Sequence, residues 1–246
     1  MKGFGVLLLL LAGTMAFAQA PASVGVPGIS VNFGGQGDGD MSTALQILAL
    51  LTILSLAPAI LILMTAFTRI VIVLGFVRSA LGTPNVPPNQ VLIGLSLFLT
   101  LYVMGPTLDT VKSQALEPYM AKEINFEEAL QRAEPPIKNF MLNNTYESDL
   151  ALFVNMGDER PTSREEVSIW TVVPAFVISE LKTAFIIGFY IFVPFLIIDL
   201  IVASALMSMG MMMLPPVVVS LPAKLLVFVL ANGWATLVNA IVTGYR

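Results

Sequence analysis

Residues 170–213 read WTVVPAFVISELKTAFIIGFYIFVPFLIIDLIVASALMSMGMMM, an apolar run interrupted by only three charged residues, Glu180, Lys182 and Asp199. A helix needs about 20 apolar residues to cross the hydrocarbon core of a bilayer, and this run exceeds that length. The whole chain shares its character, because 57% of the 246 residues are hydrophobic and only 11% are charged. Soluble domains carry about 25% charged residues. The sequence therefore predicts a membrane protein.

Three further apolar runs lie on either side of an acidic stretch. Residues 41–68 carry no formal charge, and Pro58 within them predicts a bend because proline removes one backbone donor. Residues 86–107 begin with two prolines that suit a first helical turn, and they should end near Gly105. The last run, residues 225–245, follows three prolines. We expect an all-α fold in which four apolar segments pair as two kinked helical hairpins.

The first 18 residues are typical of a secretory signal peptide. Lys2 precedes a short apolar core at residues 6–12, and Ala16-Phe17-Ala18 is a small-x-small cleavage site. The alternative is an uncleaved first transmembrane helix, but the apolar core is shorter than the roughly 20 residues that a span requires. We expect cleavage after Ala18. Residues 19–41 are rich in Gly, Pro and small polar residues, which predicts a flexible tether.

The acidic stretch, residues 109–168, predicts a small helical insert between the two hairpins. It holds twelve acidic and six basic residues, whereas the apolar runs hold few charges. Residues 126–133 and 147–156 are good helix formers, and Ser163 and Glu166 have the spacing of a capping box. The predicted boundaries are therefore a first hairpin at 42–108, this insert at 109–168 and a second hairpin at 169–246.

Basic residues near short loops predict the orientation in the membrane. Arg69 and Arg78 flank the expected short loop of the first hairpin, and Lys224 is assigned to the short loop of the second. Such loops face the cytoplasm when they carry Lys or Arg. The acidic insert then faces the periplasm, which agrees with an extracytoplasmic N-terminus after signal cleavage.

Composition excludes most catalytic chemistry. The chain contains no Cys and no His, so it has no thiolate nucleophile, no imidazole base and no Cys or His metal ligand. A formal net charge of −4 with no basic block argues against nucleic acid. We expect a non-enzymatic protein without a cofactor.

Ionisable residues inside the apolar runs need partners, because an ionised group in hydrocarbon costs about 2.5–3.5 kcal/mol on insertion scales. Glu180 and Lys182 lie on opposite sides of a helix, and Asp199 is far along it, so none can pair within its own helix. We expect contacts with neighbouring chains. Snorkelling to the membrane interface is the alternative for the lysines. The candidate inter-subunit charges are Arg69, Glu180, Lys182, Asp199 and Lys224.

Methionines cluster at residues 207–213, where five of seven positions are Met. The spacing follows neither the helical nor the strand period, and Leu214-Pro215-Pro216 ends any helix, so we expect a loop at 207–216. Methionine is apolar and deformable. A ring of such loops from several copies could seal a channel against ions and still yield to a passing chain. The alternative is a hydrophobic turn buried in lipid or in the protein core.

Three ordered strings resemble the FliP family of type III secretion export-gate proteins. Residues 67–74 read FTRIVIVL and continue through RSALGTP at 78–84 and PPNQVL at 87–92. Residues 174–185 read PAFVISELKTAF, and residues 209–216 read MGMMMLPP. The resemblance covers nearly all of residues 42–246 except the insert, which matches no motif.

The resemblance implies a pore-forming subunit of the flagellar export gate in the bacterial inner membrane, at the flagellar basal body. It implies several copies, a pentamer, assembled with FliQ and FliR next to FlhA and FlhB, which pass unfolded flagellar subunits. In this family the hairpins can be carried above the bilayer plane by the assembly. The constriction would be formed by Met209, Met211, Met212 and Met213.

Two alternatives remain open. The first is an export-gate subunit of a virulence-type secretion system, which the signal peptide and the insert disfavour. The second is a small-solute or ion transporter in which Glu180, Lys182 and Asp199 form a relay. No inverted repeat relates the two hairpins, and a transporter gives the methionines no role. An intramembrane protease is disfavoured because Ser204 and Ser208 have no His and Asp199 has no paired Asp.

Overall fold

The computed structural model describes residues 24–26, 29–31, 47–48, 51–52, 54–56, 58–60, 62–83, 85–157, 160–211 and 213–245. The chain divides into two compact units, Met1–Ala57 and Pro58–Arg246. The expected signal peptide lies outside the described residues, as does most of the expected tether.

The first unit contains a short antiparallel pair of strands, β1 (Val24–Val26) and β2 (Ile29–Val31), with Val24 opposite Val31. The described residues between 47 and 56 are helical.

All regular secondary structure in the described part of the second unit is helical. Its elements are α1 (Phe67–Ala80), α2 (Asn89–Val111), a π-helical turn (Lys112–Leu116), α3 (Glu117–Met120), α4 (Phe126–Asn143), α5 (Glu147–Met156), a 3₁₀ turn (Arg164–Glu166), α6 (Ile169–Ser208), α7 (Pro216–Leu230) and α8 (Gly233–Thr243). The expected helical class is confirmed, with β1 and β2 as the exception among the described residues. The kinked hairpins and the oligomer stay predictions.

The first apolar run is interrupted at residues 64–66, and the expected bend at Pro58 stays a prediction because residue 57 lies outside the described residues. Residues 62–63 are helical, residues 64–66 form a turn, and α1 begins at Phe67. The hydroxyl of Thr65 accepts from the Phe67 N–H at 3.4 Å, a local side-chain bond that competes with a continuous helix. Arg69 consequently lies in the first turn of α1 and is no longer a topology signal, whereas Arg78, in the last turn of α1, still adjoins the loop that leads to α2.

The second apolar run does not end near Gly105. Helix α2 contains Pro106 and continues through the π-helical turn into α3, so Asn89–Met120 is one helical stretch of 32 residues. Proline removes one backbone donor but does not end a helix that tertiary packing holds in place. The buried side chains of α2, which recur every four residues, are Leu92, Ser96, Thr100 and Met104.

The last apolar run is a bent pair of helices. It begins at Pro216, before the expected residue 225, and it bends by 62° between α7 and α8. Asn232, in the break, adopts the left-handed conformation with φ of 49°. The structure therefore contradicts the assignment of Lys224 to a short loop, because Lys224 lies within α7 and is buried.

Two helical stretches of the described residues are long and apolar enough to cross a membrane, Asn89–Met120 and Ile169–Ser208, or three spans if the bent α7–α8 pair counts as one. Four segments were expected. Helix α6 has 40 residues and is therefore about 60 Å long, roughly twice the thickness of the hydrocarbon core.

The core of the second unit forms around α1, which packs closely and in parallel against α6. Arg69 contacts Glu180, while Phe76 further along α1 contacts Phe185 edge to face at 5.3 Å. Gly188 permits this approach, because a Cβ there would lie 2.4 Å from the Phe76 ring. Helix α7 runs antiparallel to α6, with Phe195 beside Phe228. A separate core, around Met141, Leu150 and Phe176, lies between the insert and the first part of α6.

Within the insert, helix α5 has the predicted bounds, and Gly157 follows it as its C-cap. Helix α4 extends past the predicted residue 133 through two prolines to Asn143. Ser163 precedes a 3₁₀ turn that ends at Glu166, and the Ser163 side chain makes no cap hydrogen bond. Ser168 caps α6, because its hydroxyl accepts from the Trp170 N–H at 3.3 Å.

Candidate functional site

The methionine-rich segment begins as the last turn of α6 and continues as an exposed loop. The Met211 N–H donates to the Leu206 carbonyl and the Gly210 N–H to the Met207 carbonyl, at 3.0 and 3.1 Å. These two bonds form a Schellman motif, and Gly210 supplies its left-handed residue with φ of 76°. Pro215 and Pro216 then begin α7. The chain therefore reverses direction at residues 209–215.

The side chains of this methionine loop, defined as residues 207–216, are exposed within the second unit. Met207, Met209 and Met213 each expose more than half of their surface, and Met211 exposes about a third. Met212 lies outside the described residues. The expectation of a loop holds for residues 209–215, whereas Met207 and Ser208 belong to α6.

Below the loop, α6 and α7 are joined by a polar cluster around Asp199. The Lys224 ammonium contacts Asp199 Oδ2 at 2.6 Å, and the Ser220 hydroxyl donates to Asp199 Oδ1 at 2.5 Å. A Cβ on Gly82, which follows α1 with φ of 74°, would lie 3.7 Å from Lys224 Nζ. A cation is favourable there because the C-terminal end of a helix carries partial negative charge. This cluster holds α6 against α7.

A second polar cluster lies deep in the core around Glu180. Arg69 donates from Nε to Glu180 Oε2 at 2.9 Å and from Nη2 to Oε1, so the ion pair is bidentate. Both side chains are buried. The Tyr245 hydroxyl donates to the same carboxylate at 2.5 Å, and Arg69 Nη1 donates to the Gly244 carbonyl at 3.0 Å.

Tyr245 connects this cluster to the insert. Its ring lies under the Arg69 guanidinium, 3.8 Å from the centroid, and stacks on Phe140 of α4 at 6.0 Å. Burial, followed by the charge of the neighbouring Glu180 carboxylate, raises the pKa of Tyr245 far above its usual range. Tyr245 therefore stays a neutral hydrogen-bond donor at physiological pH.

A third cluster docks the insert on α6. Ser179 donates to Asp149 Oδ2 at 2.8 Å and accepts from the Tyr146 N–H at 3.1 Å. The Lys182 ammonium lies 3.7 Å from Asp149 Oδ1 and 4.8 Å from the centre of the Tyr146 ring. Lys182 is half exposed. The adjacent residues Ser179 and Glu180 thus bind different parts of the fold.

These contacts remove the reason to assign the buried and half-buried charges to subunit interfaces, namely Arg69, Glu180, Lys182, Asp199 and Lys224. No pair forms within one helix, as expected, but partners on other helices of the same chain satisfy every one of these charges. The charges do not require a second chain. Their role between subunits stays a prediction without its original basis.

The sequence did not predict the cluster members that are neutral or far away along the chain. Ser220 and Tyr245 carry no charge, and Asp149 resembles its acidic neighbours in the insert. In the sequence, only the position of Ser179 directly before Glu180, inside an apolar run, indicated a member of these clusters. In the part of the chain that the structure describes, no group of three or more acidic side chains could hold a metal ion.

Replacing Ser179 with alanine is expected to loosen the insert and lower the free energy of unfolding by about 1–3 kcal/mol. The change leaves the Tyr146 N–H and one Asp149 oxygen without this partner. Thermal unfolding of the detergent-purified protein measures the loss, and hydrogen exchange at the Tyr146 amide should accelerate. Ser204→Ala is the matched control, since its exposed hydroxyl bonds only its own helix at Leu200. Equal stability of the two variants would contradict the docking role.

Residues 50–241 of this chain match the FliP family. The chain is 56% identical over 207 residues to the flagellar biosynthetic protein FliP of Bacillus subtilis, covering 84% of this chain and 94% of the relative. It is 45% identical to the protein of the same name from Aquifex aeolicus, over 97% of this chain and 98% of the relative. The corresponding protein of Pectobacterium carotovorum is 48% identical over 99% and 92%.

Proposed function

The chain belongs to the FliP family of flagellar biosynthetic proteins, and from this premise we propose that several copies surround a pore that their methionine loops seal. Membership makes the chain a structural component of the flagellar export apparatus and not an enzyme. Its apolar helices agree with a location in the inner membrane.

The observation that carries the proposal is the exposed methionine loop. The Schellman motif and the Asp199 cluster fix the backbone on both sides of the loop by hydrogen bonds and an ion pair. The described methionine side chains of the loop are nevertheless largely exposed within their own unit. Unbranched thioether side chains adapt their shape. Loops from several copies, brought together at one axis, would close a hole against hydrated ions and open around an unfolded chain.

The length of α6 supports assembly. A helix of about 60 Å extends well beyond one hydrocarbon core. Apolar side chains are exposed along most of it, including Phe185, Ile201 and Met207. Those outside the lipid need a protein surface to cover them. Neighbouring copies and the family's partners FliQ and FliR supply that cover, with FlhA and FlhB adjacent, and the paired charges stay internal.

A transporter is disfavoured by the positions of the charges. Glu180 and Asp199 are about 28 Å apart along α6, and each binds a different basic residue. Lys182 pairs with a third group on the insert. Three separate pairs do not form a relay, so export of polypeptides is the better proposal. Unfolded flagellar subunits are its substrates, and the insert faces the periplasm.

The proposal is tested by the mass of the detergent-extracted particle and by complementation. We expect native mass spectrometry to find several copies, five by family resemblance, together with FliQ and FliR. Expression in a flagellated bacterium that lacks its own FliP should restore hook and filament subunits to the medium. A stable lone monomer, or a multimer that restores no secretion, would contradict the proposal. Export of virulence proteins alone would favour the virulence-type alternative.

A further inference from the structure

The methionine loop concentrates exposed thioethers in a way that the rest of the described chain does not. Met207, Met209 and Met213 expose 58%, 69% and 99% of their surface, while Met104 in α2 and Met141 in α4 expose 2% and 0%. Oxidation of methionine follows the access of the oxidant to the sulfur atom. Within their own unit the loop thioethers are therefore open to small oxidants, and the core thioethers are shielded from them. In the proposed ring the loop thioethers would line the channel, where an oxidant reaches them from the lumen.

We propose that the methionine loop is an oxidation site through which hydroperoxides open the seal. In the reaction with hydrogen peroxide, the sulfur lone pair attacks one peroxide oxygen and the O–O bond breaks. The thioether becomes a sulfoxide, and the peroxide is reduced to water. The inference rests on the proposed sealing role of the loop. It adds a chemical class of modifier and a regulated state to that role.

Oxidation changes the property on which the seal depends. A sulfoxide is polar and accepts hydrogen bonds, whereas a thioether is apolar. Hydrophobic constrictions block ions because water leaves them. Sulfoxides at Met209, Met211 and Met213 would keep the constriction hydrated and let ions pass. The same soft side chains that close the channel are thus the ones that peroxide converts.

The support of the loop makes the change local and reversible. The bonds of the Schellman motif join backbone atoms, and the Asp199 cluster contains no sulfur, so oxidation leaves both in place. Methionine sulfoxide reductases restore the thioether, since two thiols give one disulfide and one water for each sulfoxide reduced. The oxidised loop can therefore return to its sealing form without refolding.

The experiment uses the purified assembly reconstituted in planar bilayers and treated with hydrogen peroxide. Peptide mapping by mass spectrometry follows each sulfoxide, and current at fixed voltage follows the leak. We expect the loop methionines to oxidise about tenfold faster than Met104 and Met141, in line with their access to oxidant. The current should rise as residues 207–213 oxidise and fall after treatment with sulfoxide reductases and dithiothreitol.

Two variants separate loop oxidation from general exposure. A variant with leucine at Met209, Met211, Met212 and Met213 keeps apolar side chains of similar volume that peroxide does not oxidise, so peroxide should not raise its current above that variant's own resting value. Met120 and Met156 are also exposed but lie in the α3 and α5 helices. Their leucine variant should leak under peroxide like the unmodified protein.

Two results would overturn the inference and leave the sealing role intact. Loop methionines that oxidise no faster than the buried pair would exclude the site. A leucine variant that leaks under peroxide as much as the unmodified assembly would show that other residues respond. Failure of the sealing role would be recognised without peroxide. In that case, replacing the loop methionines with alanine would leave the resting current unchanged.

Discussion

Replacing Glu180 with alanine is expected to lower the free energy of unfolding by about 3–5 kcal/mol, the cost of breaking a buried ion pair. The change leaves the Arg69 guanidinium buried without its carboxylate, in contact with the Gly244 carbonyl and the Tyr245 ring. It also removes an acceptor of the Tyr245 hydroxyl. Thermal unfolding in detergent measures the loss. Native electrophoresis should show less assembled complex, because less folded chain is present.

Two further variants test whether this role lies within the chain. Lys182→Ala, two residues away on α6, should cost less than about 1 kcal/mol because its ion pair is half exposed. Arg69→Met combined with Glu180→Leu removes both buried charges and should be more stable than either single variant. An assembled complex that recovers in the double variant would support the internal pair. If Glu180→Ala is as stable as Lys182→Ala, the buried pair does not stabilise the fold.

The second large effect is expected at the seal. Alanine at Met209, Met211, Met212 and Met213 should raise the ion current through the resting assembly on the order of tenfold, because the apolar side chains that exclude water from the constriction are removed. The current of the reconstituted assembly in planar bilayers measures the leak. Secretion of flagellar subunits should persist, since the pore itself remains.

Matched variants control for the number of methionines removed. Alanine at Met120 and Met156, which are exposed on the insert, should leave the current unchanged. Leucine at the four loop positions should also preserve the seal, because its volume and polarity are close to those of methionine. An alanine variant of the loop with unaltered conductance would contradict the sealing role. Leakage from the insert variant would show that the effect does not belong to the loop.

Local signals in the chain predicted several elements correctly. Helix α5 begins at Glu147 and ends before Gly157, as good helix formers followed by glycine indicate. The methionine segment turns before Pro216, since Pro215 and Pro216 suit the start of a new helix. These features depend on residues a few positions apart, so a single sequence contains the necessary information.

Long-range packing overrode local signals elsewhere. The second apolar run was expected to end near Gly105, but α2 continues through Pro106 because its buried side chains pack inside the unit. No proline lies at the 62° bend between α7 and α8, so the sequence did not predict this bend. Asn232 takes up that bend in a left-handed conformation. Such outcomes depend on which surfaces meet, and a local pattern does not contain that information.

Composition and order of residues were sufficient to identify a membrane-associated helical protein, its family resemblance and its methionine loop, because hydrophobicity and turn chemistry act along the chain. The pairing of the charges required the folded chain. Arg69 and Glu180 are separated by 111 positions, and Asp199 and Lys224 by 25. Buried charges are satisfied through space, so only the packing of α1, α6 and α7 decided that their partners lie within one chain.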